Sequence, residues 1–121
     1  MRGILINPFD KTIKEVNILG NIEDIYLLTE CKTFDVVALS DKDDLYVDDE
    51  GLLKDNRYFT IYGKAIAGRG LIMAHDIEGN SISTILSLQE IEDVVEWLPK
   101  GHKEEPYMEF KVLWHNIKRR G

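Results

Sequence analysis

The stretch Phe34–Asp48, FDVVALSDKDDLYVD, decides how this chain is read. FDVVALS and LYVD are rich in β-branched and aromatic residues, and the polar DKDD between them has the chemistry of a turn. Two such runs on either side of a turn make an antiparallel hairpin. The same grammar extends in both directions. GILINPF and TIKEVNI form an opening hairpin around Asn7, Pro8 and Asp10. RYFTIY and GLIMAHD are further strands, and the second of them turns at IEGN and returns along SISTIL. Near the end, YMEFKVLWHNI alternates Met108, Phe110, Val112 and Trp114 on one face and reads as a last strand.

Two segments break this period of two. Asn21 is an N-cap with Asp24 at the third helical position, and Ile22, Ile25, Tyr26 and Leu28 make an apolar stripe, so a helix is predicted over about residues 22–30. Ser87 and Glu90 form a capping box. Leu88, Ile91, Val94, Val95 and Leu98 then recur at helical spacing, predicting a second helix over about 88–98 that stops at Pro99-Lys100-Gly101. The fold class is therefore α+β, a mainly antiparallel sheet of about seven to eight strands with two short helices. All 121 residues are read as a single globular domain, with 99–121 a C-terminal extension that includes the last strand.

A chain of 121 residues with a 44% apolar share buries roughly two thirds of the surface it exposes when unfolded. No apolar run approaches the ~20 residues of a membrane span, and the amino end MRGILINPFDK is too short in apolar residues for a signal peptide, so a cytoplasmic protein without membrane contact is expected. The single cysteine, Cys31, forms no internal disulfide and reads as a buried apolar residue. A net charge of -7 opposes direct nucleic-acid binding, which depends on Lys and Arg displacing counterions. The tail KVLWHNIKRRG runs the other way, with four basic residues.

Catalytic and metal patterns fail one by one. A calcium loop starting at Asp41 puts Leu45 at the fifth position and Tyr46 at the sixth, where a ligand and a glycine are needed. Asp48 paired with Asp49 or Glu50 makes a poor magnesium site, because neighbours on a strand face opposite ways. His75, His102 and His115 lack zinc spacing, no Gly-x-Ser-x-Gly elbow is present, and Cys31 lies at the end of a helix, where the dipole disfavours a thiolate. No catalytic residue, metal or cofactor is assigned. The segment Ala67–Leu71, AGRGL, offers glycine amides that can cradle an anion around Arg69, although the P-loop ending is missing. Asn56, Arg57 and Tyr58 stand near it in sequence, and Arg beside Tyr is a frequent recognition pair. The candidate binding residues are Asn56, Arg57, Tyr58, Gly68, Arg69, Gly70, Asp48 and Glu50.

The order RGILINPFDKTIKEV, IYLLTECKTFDVVAL, LYVDDEGLLKDNRYFTI, IAGRGLIMAHDIEGN and TILSLQEI resembles a domain-of-unknown-function family of small proteins common in tailed-phage genomes and some bacterial plasmids. The resemblance covers about residues 2–97, and its most distinctive pieces are Asp48–Leu52 and Ala67–Leu71. It supplies no catalytic residues. It implies a non-enzymatic phage accessory protein that binds and inhibits, or sequesters, a host or defence component, whether a protein or a nucleotide signal. Two alternatives stand beside it. One is an acidic DNA mimic, carried by Glu23, Asp24 and Glu30 and by Glu90, Glu92, Asp93 and Glu96. The other is a metal-dependent nucleotide or phosphoester enzyme using Asp48, Glu50 and Arg69. Trp97, Trp114 and Tyr107 offer a surface for a homodimer.

Overall fold

A computed structural model describes residues 1–53 and 56–103. The opening hairpin pairs β1 (Arg2–Asn7) with β2 (Thr12–Asn17), setting Ile6 against Ile13. The helix α1 (Ile22–Thr29) starts at the Asn21–Asp24 capping box and ends where Glu30 turns into the left-handed region at φ 55. The hairpin FDVVALSDKDDLYVD follows as β3 (Phe34–Ala38) and β4 (Asp43–Asp48). A single 3-10 turn over Gly51–Leu53 leads to β5 (Tyr58–Ile61) and β6 (Lys64–Ala67). Tyr62 and Gly63 both have positive φ between these two strands, the conformation a tight two-residue hairpin requires. Then come β7 (Gly70–His75), β8 (Ser81–Ile82), α2 (Leu88–Val94) and β9 (Val95–Trp97).

These strands form two sheets. The larger runs β2-β1-β7-β4-β3 with β8 added to β7, and the smaller runs β6-β5-β9. Both sets of pairings are antiparallel. Because side chains alternate across a strand, each face of the larger sheet builds its own core. Ile4, Ile6, Leu45, Val47 and Ile72 point at the smaller sheet, where Phe59, Ile61 and Ile66 meet them together with Ile91 of α2. Leu71 and Met73 point the other way and are covered by Ile18, Ile25 and Cys31. The layers are thus α1, the larger sheet, then the smaller sheet with α2. Each fully buried Ile, Leu or Phe contributes about 1.5–3 kcal/mol.

Two expectations are corrected. The second helix stops at Val94 rather than near 98, because Val95 is extended at φ -102, ψ 134 and β9 pairs with β5. The strands number nine among the described residues, β6 and β9 being the two that periodicity did not reveal. SISTIL contributes only Ser81–Ile82 to the ladder. The predicted last strand, with Met108, Phe110, Val112 and Trp114, lies outside the described residues, as does Tyr107.

Candidate functional site

The two distinctive segments meet, and they meet through their backbones. A Cβ placed on Gly51 would lie 2.8 Å from the carbonyl oxygen of Ala67 and 3.0 Å from its Cβ. Asn56 closes the junction, since its Nδ2 donates to the Gly51 carbonyl at 3.0 Å and its side chain lies beside Gly68. Gly68 has φ +83 and donates its N–H to the Arg57 carbonyl at 2.8 Å. That donation removes one amide from the anion cradle expected at AGRGL. The other glycine is structural too. Gly70 lies in the central strand, and a Cβ there would meet Leu45 Cδ1 at 2.8 Å and Phe59 Cζ at 3.1 Å.

The charged side chains divide between the two loops. Asp48 Oδ1 accepts from the Glu50 N–H at 2.9 Å, which shapes the acidic turn as an Asx motif. The register that sets Val47 against Gly70 brings Asp48 and Arg69 to the same end of neighbouring strands. Arg69 nevertheless reaches Glu30, with Nη1 3.2 Å from Oε2, and covers the Phe9 ring with its guanidinium carbon 4.7 Å from the centroid. Glu30 is 64% exposed, so this pair contributes at most about 1 kcal/mol. Arg57 differs. It is half-buried, and its guanidinium makes no hydrogen bond or ion pair with the described residues. Tyr58 is buried beside it and packs edge-on against His102, centroids 5.1 Å apart. The structure therefore gathers Asn56, Arg57, Tyr58, Gly68 and the Asp48–Gly51 turn, and directs Arg69 to α1.

A second polar group lies on the α1 side of the larger sheet. His75 Nδ1 is 2.9 Å from Asp44 Oδ2, and burial, then the negative charge of Asp44, push the Tyr46 phenol above its ordinary value. A third was not legible in the chain. Asp43 is buried, and its two oxygens accept from Thr84 Oγ1 at 2.8 Å and Ser40 Oγ at 2.9 Å. No local signal separates Asp43 from the other acids of DKDD; its role depends on Thr84, far along the chain. Among the described residues no three His, Cys, Asp or Glu side chains gather as a metal site. No helix among them is long and apolar enough to cross a membrane.

This two-sheet arrangement, with the Asp48–Leu52 and Ala67–Leu71 loops joined at one end, is the setting for the family assignment. The chain belongs to the family described as Domain of unknown function (DUF3846), which matches residues 1–97. The match ends with β9, so every described strand and helix falls inside it. No curated protein and no solved structure matches the chain significantly.

Proposed function

We propose that this chain is a non-enzymatic binding protein, a small phage accessory factor that inhibits a host or defence component or sequesters its nucleotide signal in the host cytoplasm. The binding surface is the loop junction of Asp48–Gly51, Asn56–Tyr58 and Gly68. One observation carries this reading: Arg57, half-buried at the junction, holds a guanidinium that the described residues do not pair. A partly desolvated guanidinium seeks a planar anionic partner such as a phosphate or carboxylate, to which it donates two parallel hydrogen bonds. Of the Tyr58–His102 pair, Tyr58 is buried and His102 is the half-buried partner that can meet a base or an aromatic side chain.

Calorimetric titration with cyclic and linear nucleotides, together with capture of partners from host lysate, tests the reading. Binding in one of the two assays that Arg57→Ala weakens about tenfold or more supports it, that being the scale of one charge-assisted hydrogen bond. Silence in both assays, or binding indifferent to Arg57→Ala, overturns it.

A further inference from the structure

The opposite end of β4 carries a second site of different chemistry. There the β3–β4 turn and the segment after β8 enclose a cleft of about 380 Å³, lined by Asp41, Lys42, Asp43, Ala74, Ile82 and Ile85 among others. That size falls within the range of small-molecule sites, on the order of 300–1,000 Å³.

Asp43 sets the chemistry of the cleft. It is 6% exposed, yet among the described residues no Lys, Arg or His forms an ion pair with it. The hydroxyls of Thr84 and Ser40 supply one proton each, at 2.8 and 2.9 Å. A carboxylate has about four lone-pair positions, so acceptor capacity remains after both are made. Arg2 reaches the same segment but is committed elsewhere. Its Nε lies 3.0 Å from Glu15, and its Nη1 donates to the carbonyls of Thr84 and Leu86 at 2.9 and 2.6 Å. A buried carboxylate without a countercharge is costly, and two neutral hydroxyl donors offset only part of that cost. The walls supply the other half of the site. Ala74 and Ile82 form an apolar side, and Ile85 stands 91% exposed at the cleft. At the lining Asp41 and Lys42 carry opposite charges that offset each other, so the sign of the occupant is set by Asp43.

The geometry points to a binding site for a small organic monocation, a protonated primary amine with a short branched aliphatic arm. Its N–H groups fill the open lone pairs of Asp43, and its arm covers Ile82 and Ile85. The site stands apart from the Arg57 junction and does not depend on it.

The test uses the full chain, with amide chemical shifts followed by NMR during titration with isoamylammonium, isoamyl alcohol and isovalerate. Isoamylammonium is expected to shift the amides of Asp43, Ala74 and Ile82 saturably, while the alcohol and the carboxylate, which share its arm, do not. Asp43→Asn weakens the amine about tenfold, the scale of one charge-assisted hydrogen bond. Because Asp43→Asn also perturbs the contacts to Thr84 and Ser40, Ile85→Ala serves as the variant that leaves the fold intact, and it weakens binding several-fold. Equal shifts from alcohol and amine, an absence of saturable shifts, or amine binding unchanged by Ile85→Ala overturns the proposal.

Discussion

At the residue scale, Gly51 does work that no chemical property of its own predicts. It is a glycine because the Ala67 carbonyl occupies the space a side chain would take. Gly51→Ala must push the Asp48–Gly51 turn away from the Ala67–Gly70 link, or be absorbed by strain in both. The expected loss is about 1–3 kcal/mol, as for other overpacked sites, and urea denaturation measures it. A loss within about 0.5 kcal/mol, the range of an ordinary surface change, would mean that the two loops are not held in contact. Tyr46 offers a residue-scale prediction of another kind. Its phenol is pushed up by burial and by Asp44, so the folded chain resists ionising it more than the unfolded chain does. Stability from this group is complete below the ordinary phenol value of about 10 and declines as pH rises beyond it, because the unfolded state loses its proton first. In an ultraviolet absorbance titration of the folded chain, Tyr46→Phe should remove a delayed tyrosine step.

At the scale of elements, what could be read in the chain was whatever is decided locally. Both helix starts were legible because a capping box lies within four residues, and both capping boxes are present, at Asn21–Asp24 and Ser87–Glu90. The hairpins of β1 with β2, β3 with β4 and β7 with β8 were legible because turn residues stand between β-rich runs. The end of α2 was not. Val94, Val95 and Leu98 satisfy helical spacing, and the edge of β5 decides the contest by offering Val95–Trp97 a ladder partner. The same non-locality hid the partner of Arg69, because nothing near AGRGL points to Glu30. The acidic turn was half legible: Asp48 shapes it as the spacing suggested, whereas its meeting with Ala67 emerges only from the sheet. β9 can be tested directly. Tyr62 N donates to Val94 O and Leu98 N to Tyr58 O, both at 3.1 Å, so antiparallel alternation puts Glu96 in the hydrogen-bonded pair with Thr60. Glu96→Pro removes that donor and should cost about 1–3 kcal/mol, with Trp97 fluorescence shifted as its edge-on contact with Phe59 loosens. Glu96→Ala, at an exposed position, should stay within about 0.5 kcal/mol.

At the scale of the whole molecule, one strand joins two cores. β7 runs through the middle of the larger sheet between β1 and β4, and all its residues but His75 are buried. Leu71 and Ile72 are adjacent in sequence yet belong to different clusters, one under α1 and one under the smaller sheet with α2. If the layers folded independently, truncating one of these residues would leave the other core intact. Because both cores share the backbone of β7, loss of either should lower the stability of both, and the chain should unfold in one transition. Leu71→Ala and Ile72→Ala are each expected to cost about 2–5 kcal/mol. Each should shift the denaturation midpoint while leaving the slope with urea unchanged. Native-state amide exchange gives the finer reading. The β7 amides should exchange only through global unfolding, whereas β3, at the sheet edge, and the two-residue β8 should open at lower free energy. The contrast matters for the Asp43 cleft. Apart from Ala74 of β7, its walls come from the β3–β4 turn with Asp43, from β8 and from the segment after it, so most of them belong to the parts that open first. A bound amine should therefore slow exchange at Ile82 and Asp43 by a factor that grows with ligand concentration as mass action requires, and it should slow β7 as well, because global unfolding also destroys the site. Slowing of β7 with Ile82 and Asp43 unchanged would show instead that the edge opens without releasing the amine, whereas equal exchange free energies at β7 and the cleft in the unliganded chain would show that the molecule opens as one body.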